Sequence, residues 1–290
     1  MNILQNENLI VESKCYGAEI TRIYSKKNKK DILWCGDDRY WGRRSPILFP
    51  IVGRLKDNKT IIEDNIYSMS QHGFARDMNF KIIEESKNSI TYKLSSNDET
   101  KAMYPYSFEL IIKYTLIDCT IEVEWTVNNT DTNDIYFSIG AHPAFNIPMS
   151  TEETLEDYYL KLIYGDNVEN IILNGPYADS RTKLDCVDTI NLNSALFKND
   201  ALIYTNIDKV SIFSKYNKEL LNVEFKDFPL VGIWSPYYSE SNSIAPFICI
   251  EPWYGLADNI NSDYIFKNKE FINKLELGKS FTASYNITVI

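Results

Sequence analysis

The sequence predicts an all-β protein, folded as one large antiparallel β-sandwich. Short segments rich in Ile, Val, Tyr, Phe and Thr recur from end to end and are separated by polar turns. Helical periodicity is sparse, which disfavours a fold that alternates strands with helices. No repeat of fixed period and no long linker rich in Pro, Gly or Ser is visible, and 44% of the residues are hydrophobic. We therefore expect residues 1–290 to form a single domain with a large core.

Runs of β-branched and aromatic residues between turn residues mark the candidate strands. In chain order these are residues 9–12, 19–24, 60–67, 80–84, 108–116, 121–127, 135–139, 158–163, 210–214, 220–225, 230–234 and 281–290. Residues 194–198 and 262–267 are short candidates for helices. The polar segment 95–101 and the acidic segment 151–157 are expected to be surface loops.

Segment 121–127 gives the clearest strand, because apolar and polar residues alternate along it. Residues 108–116 precede it after a short link, so the two segments are predicted to pair as an antiparallel hairpin. One face of this strand should belong to the core and the other should be wet. The predicted core-facing residues are Ile121, Val123, Trp125 and Val127, and those of the other face are Glu122, Glu124 and Thr126.

The charge balance argues against two classes of partner. The chain has 40 acidic and 30 basic side chains, a formal net charge of -10, whereas nucleic acids and anionic membranes attract clustered Lys and Arg. The first residues lack a basic region followed by an apolar stretch, and no segment is apolar for long enough to cross a bilayer. The 5 cysteines are scattered and form no C-x-x-C pair, so neither a disulfide framework nor a zinc site is indicated. We expect a soluble, cytoplasmic protein without nucleic-acid or membrane partners.

Residues 248–258, with the sequence ICIEPWYGLAD, place one carboxylate in an apolar run suited to a buried strand. A buried Glu251 needs a hydrogen bond, a raised pKa or a position at a strand end that faces a cleft. Pro252 cannot donate to a ladder, so the strand is predicted to end at Glu251. Trp253 and Tyr254 then offer flat apolar faces beside an acid, which is typical of a sugar site. The alternative is a salt-bridged acid at a strand end.

The two histidines both lie in turn-like settings. His72 begins the segment HGFAR, in which Gly73 permits an unusual backbone and Arg76 offers a charge for hydroxyls or a carboxylate. His142 lies in the segment GAHPAF, where Pro143 biases it toward an extended backbone at the end of a strand. Taken alone, each histidine is more often a structural hydrogen-bonding residue than a catalyst.

Four ordered segments resemble the aldose 1-epimerase (galactose mutarotase) family, most closely its LacX-like branch. They are FPIVGR at 49–54, QHGFAR at 71–76, GAHPAF at 140–145 and EPWYG at 251–255. The similarity extends over nearly the whole chain. A short His-Pro or Glu-Pro string means little alone, but four ordered matches in an all-β chain of this length are specific. Arg54 closes the first segment, and its alternative role is a surface salt bridge.

The resemblance implies a galactose mutarotase-like β-sandwich that binds a small-molecule sugar in a cleft and needs no cofactor or metal. It also implies that Glu251 is the general base and His142 the general acid, while His72 and Arg54 bind the substrate. Such a pair removes the proton from O1 and protonates ring O5, so that the ring opens, rotates about C1–C2 and recloses as the other anomer. The further candidates for sugar binding are Arg76, Phe145, Trp234, Trp253 and Asp258.

Three departures from the better-known galactose mutarotases leave the sugar open. Gly53 stands in place of an asparagine, Phe74 in place of a second glycine, and Trp253 in place of a glutamine that contacts the sugar. The substrate could be glucose, galactose, another aldose or a sugar phosphate, and the protein a monomer or a homodimer. Two other functions are also open: a glycosidase that uses Glu251 with Asp258, and a non-catalytic sugar-binding or sensing protein on the same fold.

Overall fold

The computed structural model describes residues 1–216 and 218–290. Strands make up 51% of it and helix 8%, which confirms the all-β prediction. The strands, in chain order, are β1 (Asn2–Gln5), β2 (Leu9–Ser13), β3 (Ile20–Ser25), β4 (Lys30–Asp31), β5 (Ile47–Leu48), β6 (Lys59–Ile62), β7 (Asn65–Ser68), β8 (Lys81–Glu85), β9 (Ser89–Ser95), β10 (Phe108–Ile117), β11 (Thr120–Asn129), β12 (Ile135–Phe137), β13 (Ile139–Ala141), β14 (Ala144–Asn146), β15 (Tyr158–Tyr164), β16 (Glu169–Asn174), β17 (Tyr177–Lys183), β18 (Thr189–Asn191), β19 (Leu202–Thr205), β20 (Ile207–Ser214), β21 (Glu219–Glu224), β22 (Leu230–Trp234), β23 (Tyr237–Tyr238), β24 (Ser243–Ile244), β25 (Phe247–Tyr254), β26 (Asn273–Leu275) and β27 (Ser280–Val289).

The α-helix α1 (Asp98–Met103) occupies a segment predicted to be a loop. Asn97 caps this helix: its side chain accepts a hydrogen bond from Thr100 N–H, and the Thr100 hydroxyl oxygen accepts one from Asn97 N–H. This reciprocal capping box stabilises a short helix that has no hydrophobic periodicity to reveal it. Short 3-10 helices lie at Lys56–Asn58, Ala75–Asp77, Leu155–Asp157, Ser194–Phe197 and Phe266–Asn268. None of the helices in the described ranges is both long and apolar enough to cross a membrane.

A nine-stranded sheet forms one layer of the described chain, in the order β18-β15-β20-β21-β27-β11-β10-β9-β8. The predicted hairpin is present, since β10 and β11 pair in antiparallel fashion along their whole length. The predicted core-facing residues of β11 are fully buried, whereas the alternate residues are half-buried. The period-two pattern of segment 121–127 therefore assigned the two faces of this strand correctly.

The second large sheet runs in the order β17-β16-β19-β22-β25-β13-β5, and β14 also pairs with β25. Its inner face packs against the nine-stranded sheet: the rings of Phe49, just after β5, and Phe108, on β10, have centroids 4.9 Å apart. Strand β25 shows the two faces of this sheet. Ile248 and Ile250 belong to the core between the layers, whereas Cys249 and Trp253 belong to separate clusters on the other face. Glu251 shares that outer face, because side chains alternate along a strand.

The strand that carries Glu251 does not end there, contrary to the sequence prediction. β25 continues through Pro252 to Tyr254, and Pro252 is paired with Val231 of β22. On its other side, β25 pairs with β13 only at residues 253 and 254 and with β14 only at residues 247–249. Pro252 therefore lies where this ladder is interrupted, and its missing N–H leaves no partner unsatisfied.

Two other predicted strands are divided. Segment 60–67 is a hairpin of β6 and β7, whose turn residues Glu63 and Asp64 have φ of 48° and 63°. Such left-handed pairs are typical of tight hairpin turns. Segment 135–139 becomes β12 and β13, which pair with different partners: β12 with β26, and β13 with β25 and β5.

Candidate active site

A cavity of about 400 Å³ lies over the outer face of the sheet that contains β25. Its wall is contributed by β16, β19, β22 and β25 and by loops that follow β5, β7 and β13. Six of the residues singled out from the sequence line it: His72, Arg76, His142, Trp234, Glu251 and Trp253. Four segments distant in the sequence thus meet in one cavity.

His142 and Glu251 face each other across the interrupted ladder. Gly140 pairs with Trp253 on one side of the interruption and Ala144 pairs with Cys249 on the other, so the same register places His142 opposite Glu251. The His142 Nε2 atom lies 3.3 Å from Glu251 Oε2. Both side chains are almost completely buried, at 8% and 2% exposure. Apart from the facing His142 Nε2, Glu251 Oε2 has no hydrogen-bond partner among the described residues.

Burial sets the protonation of this pair. It raises the pKa of Glu251 well above 4.5, and the negative charge of Asp200 raises it further. Burial also lowers the pKa of His142 to about 3, helped by the positive charges of Arg76 and Arg43. Burial therefore favours the neutral carboxyl of Glu251 together with the neutral imidazole of His142. This differs from the resting state implied by the resemblance, in which Glu251 is ionised and His142 is protonated.

His72 presents a neutral imidazole to the cavity. The Gly53 N–H donates to His72 Nδ1 at 3.1 Å, and the His72 N–H donates to the Gly53 carbonyl at 2.8 Å. Because Nδ1 accepts a hydrogen bond, the ring proton is on Nε2. Burial lowers the pKa of His72 well below 6.5, and the charge of His142 and the nearby arginines adds to this effect. The backbone of His72 has a φ of 68°, followed by Gly73 at 72°, so the sharp turn depends on this reciprocal pair of hydrogen bonds.

Aromatic rings surround His142. Trp41 stacks on it with centroids 4.7 Å apart and an interplanar angle of 29°, and Trp234 contacts it edge to face at 5.5 Å. Trp253 lies flat across the sheet, over Gly140 and Gly232, where an added Cβ would collide with the indole. The two glycines therefore let Trp253 form a flat wall of the cavity rather than project into it.

Gln71 connects two arginines at the site. Arg54 Nη2 donates to the Gln71 side-chain oxygen at 3.0 Å, and Arg76 Nη2 donates to the Gln71 carbonyl oxygen at 2.6 Å. The Nε atoms of both arginines are buried and have no partner among the described residues. Arg76 lines the cavity, whereas Arg54 stands behind Gln71 and reaches the cavity through it.

Besides Arg54, two other candidate sugar-binding residues lie outside the cavity. Phe145 is fully buried in the core between the sheets, because it alternates with Ala144 on β14 and points to the inner face. Asp258 is buried in an ion pair with Lys269, and its Oδ2 accepts a hydrogen bond from Lys56 N–H at 2.8 Å. Neither side chain lines the cavity. Asp258 therefore cannot serve as the second carboxylate of the glycosidase hypothesis.

Four polar or aromatic residues line the cavity without having been identified from the sequence: Trp41, Arg43, Gln71 and Asp200. Gln71 belongs to a segment that resembles the family, so adjacency to His72 was an available signal. Trp41, Arg43 and Asp200 lie on loops whose sequences carry no pattern. Asp200 has a φ of 75°, and burial of its carboxyl raises its pKa.

One cluster contains metal-ligand atoms. The ligand atoms of His142, Cys249 and Glu251 lie within 4.8 Å of one another, so the structure supplies a cysteine that sequence spacing did not reveal. Burial raises the pKa of the Cys249 thiol well above its usual value, and the charge of Glu251 adds to this. Because the thiolate is the metal ligand, we assign no metal to this cluster.

Known proteins share this fold and chain length. A galactose mutarotase related enzyme from Lactobacillus acidophilus has 35% sequence identity and a TM-score of 0.94, over 100% of this chain and 97% of that one. A galactose mutarotase-like protein from Lactobacillus casei has 27% identity and a TM-score of 0.91, over 100% of both chains. The architecture is thus that of the galactose mutarotase-like proteins.

The sequence relationship is more specific. The family model for aldose 1-epimerase matches residues 2–260. The chromosomal and plasmid forms of Protein LacX from Lactococcus lactis subsp. lactis are each 33% identical to this chain. Each alignment is 304 residues long and covers 99% of this chain and 98% of the relative. The chain belongs to the aldose 1-epimerase family, in its LacX-like branch, and membership supports a mutarotase-type function and an isomerase-type enzyme.

Proposed function

We propose that the protein is an aldose 1-epimerase that interconverts the α and β anomers of an aldohexose. The observation that carries this proposal is the buried pair of Glu251 and His142, whose facing atoms lie 3.3 Å apart in a cavity large enough for a sugar. Anomer exchange needs one group to take a proton from O1 and another to give one to ring O5. A carboxyl and an imidazole that share one proton supply both functions without a cofactor.

Because the pair shares one proton, the reaction needs no other proton donor or acceptor. When Glu251 is ionised and His142 is protonated, Glu251 removes the O1 proton while His142 protonates O5. With the proton on Glu251, the form that burial favours, the same transfers occur with the two residues exchanged. Ring opening and closing return the pair to its starting state in both cases, so each residue gives and takes a proton once per turnover.

The other residues of the cavity hold the sugar. His72 Nε2–H and the guanidinium of Arg76 are donors for hydroxyl oxygens, and the carboxyl of Asp200 is an acceptor. Arg54 acts through Gln71, whose side-chain oxygen it holds at 3.0 Å. The flat indole of Trp253 suits the apolar face of a pyranose. Trp234 lines the cavity beside His142.

Two other functions make different demands on the cavity. A sugar-binding protein needs the aromatic rings and donors but not an unpartnered carboxyl oxygen, and burying such a group is costly. The buried carboxyl of Glu251, which only the His142 imidazole faces at 3.3 Å, therefore favours catalysis over binding alone. The glycosidase hypothesis required Asp258, which is held by Lys269 outside the cavity.

Polarimetry of freshly dissolved α-glucose and α-galactose, with and without the protein, tests the proposal. We expect one or both sugars to reach anomeric equilibrium faster with the wild-type protein and not with Glu251→Gln. If these sugars raise the Tm of the protein but the protein accelerates anomer exchange in neither of them, it is a sugar-binding protein. Release of nitrophenol from a nitrophenyl glycoside would instead identify a glycosidase.

A further inference from the structure

Two arginines divide the sugar cavity from a second, smaller one. Arg43 and Arg76 line both the cavity of about 400 Å³ and an adjoining cavity of about 370 Å³, and Trp41 lies beside them. The second cavity opens away from Glu251 and is also lined by Lys14 and Asp77. A ligand that fills the first cavity therefore meets two guanidinium groups on its way into the second.

The carboxylates at the wall between the two cavities do not neutralise all of its cations. Asp77 accepts hydrogen bonds from Arg43 Nη2 at 3.0 and 3.3 Å, and the same carboxylate is the nearest acid to Arg76 Nε, at 3.8 Å. One negative charge is thus divided between two guanidinium groups. Glu19, the other acid, is engaged by Lys14 at 2.6 Å and by the backbone N–H groups of residues 44 and 45. The three cations and two acids leave one positive charge in excess.

Arg76 shows most directly that the carboxylates are too few to neutralise the cations. Its side chain is 14% exposed, its Nε lacks a hydrogen-bond partner among the described residues, and Nη2 is bonded to a neutral carbonyl. Burial, followed by repulsion from Arg43, lowers the pKa of Arg76 to about 10 despite Asp77 and Glu19. A short distance away, Arg54 forms no ion pair with any described residue, and its Nε is also unpartnered. Buried cations of this kind are stabilised by an anionic ligand.

We propose that the preferred substrate is an aldose that carries a phosphate monoester, with the phosphate held by Arg43 and Arg76 at the wall between the two cavities. The inference rests on the proposed function and names the substrate class of the same site. A phosphate monoester has three terminal oxygens, which accept the forked donors of two guanidinium groups at once, and its charge more than offsets the one positive charge in excess. A sugar carboxylate has only two oxygens, so it satisfies the two guanidinium groups less well.

Exchange between anomers can be measured at equilibrium by NMR saturation transfer, which needs neither a pure anomer nor a coupling enzyme. The substrates are glucose, glucose 6-phosphate and glucuronate, and inorganic phosphate is added as a competitor. We expect kcat/KM for glucose 6-phosphate to exceed that for glucose by about tenfold or more, which corresponds to one charge-assisted hydrogen bond. Glucuronate should lie between them, inorganic phosphate should inhibit competitively, and added salt should reduce the preference.

The variant Arg43→Gln tests the anionic contact through the ratio of two substrates, because the effect of the Arg43 charge on the His142 pKa acts on both sugars alike. It should lower the ratio of kcat/KM for glucose 6-phosphate over glucose toward one. Arg39→Gln is the matched control, because Arg39 lies on the same loop, is 82% exposed and pairs only with Asp37. The control should keep the wild-type ratio.

Thermal unfolding separates this inference from the proposed function, because it does not require turnover. Glucose 6-phosphate should raise the Tm of the wild-type protein more than glucose does, and Arg43→Gln should remove the difference. Turnover of glucose equal to or faster than that of its 6-phosphate would overturn the inference and leave the mutarotase intact. A rise in Tm with glucose 6-phosphate that depends on Arg43, without turnover of any sugar, would support the phosphate site and overturn the proposed mutarotase activity. Absence of both effects would overturn both.

Discussion

His142 lies directly across from Glu251, at the one place where the ladder between β25 and its neighbours β13 and β14 is interrupted. The two side chains meet at the interruption, 3.3 Å apart, where one backbone hydrogen bond, from Ile250 N–H to the Pro143 carbonyl at 3.3 Å, joins the two segments. The interruption also accommodates Pro252, which would disrupt a continuous ladder. A strand with an interrupted ladder therefore holds an acid and a base in fixed positions on a rigid sheet.

Removal of either member of this pair should remove most of the activity. Glu251→Gln and His142→Asn keep the shape of each side chain but cannot exchange a proton, so each should lower kcat by about 10²–10⁴-fold. The double variant should be little worse than either single one, because acid and base act in one concerted step. Anomer exchange measured by NMR gives all three rates.

His72→Asn is the control for this experiment. If His72 only binds hydroxyls, the variant should raise KM and leave kcat nearly unchanged. A fall in kcat as deep as that of His142→Asn would mean that the two histidines have been assigned the wrong way round.

The pH profile should be broad. The active pair carries one proton, so activity falls on the acid side only when a second proton binds, near the lowered His142 pKa of about 3. It falls on the alkaline side when the last proton leaves, which the raised pKa of Glu251 delays well beyond 4.5. The initial rates of anomer exchange, measured across weakly acid and weakly alkaline pH, test this. A pH profile whose acid and alkaline limbs lie at the ordinary pKa values of a carboxylate and an imidazole would contradict this prediction.

Glu251 should cost the protein stability at neutral pH. Its folded-state pKa lies above 4.5, so the folded state binds more protons than the unfolded state once the pH passes that value. Stability then falls as the pH rises toward the folded-state pKa, by up to about 1.4 kcal/mol per pH unit. Glu251→Gln should be more stable than the wild type, by a margin that grows with pH. Urea unfolding at several pH values measures the difference, and a constant or shrinking margin would contradict the prediction.

The sequence predicted what depends on local pattern. Alternation of apolar and polar residues assigned the faces of β11, and the four segments around Arg54, His72, His142 and Glu251 led to one site. Strands without alternation were missed, such as β17 at a sheet edge and β19, which is buried on both faces, because such strands lose the period-two signal.

The rest of the cavity depends on tertiary contacts. Trp41 and Asp200 reach it from loops, and nothing in their neighbouring residues distinguishes them from ordinary surface residues. Phe145 follows a predicted motif but points into the core, since adjacent residues of a strand face opposite ways. The protonation of Glu251 and His142 was also hidden, because it depends on burial by distant segments.

Gly232 should be required for the flat wall of the cavity. An added Cβ would collide with the indole of Trp253, so Gly232→Ala should tilt the ring into the sugar site. Loss of one aromatic contact, about 1 kcal/mol, should raise KM about fivefold with a smaller effect on kcat. Gly165→Ala is the control, since its nearest neighbour is 4.0 Å away. A Gly232→Ala enzyme with unchanged KM would mean that Trp253 does not contact the sugar.

Asp258 and Lys269 form a buried ion pair behind the cavity, with side-chain exposures of 2% and 3%. Asp258 N–H donates to the Arg54 carbonyl at 2.9 Å, and its carboxylate accepts from Lys56 N–H at 2.8 Å. The pair therefore fastens the loop that carries Arg54 to the segment that follows β25. Its role should be structural, although Asp258 was a candidate for sugar binding.

Lys269→Met should destabilise the protein by about 3–5 kcal/mol, because it leaves the Asp258 carboxylate buried without its partner. The double variant Lys269→Met/Asp258→Asn should recover much of that loss, since asparagine keeps an oxygen for Lys56 N–H and carries no charge. Urea unfolding measures both, and Lys274→Met, which breaks an exposed pair with Asp134, should change stability little. The recovered double variant should bind sugar with a nearly unchanged KM. A large rise in KM in that stable variant would show that the Asp258 carboxylate contacts the substrate after all.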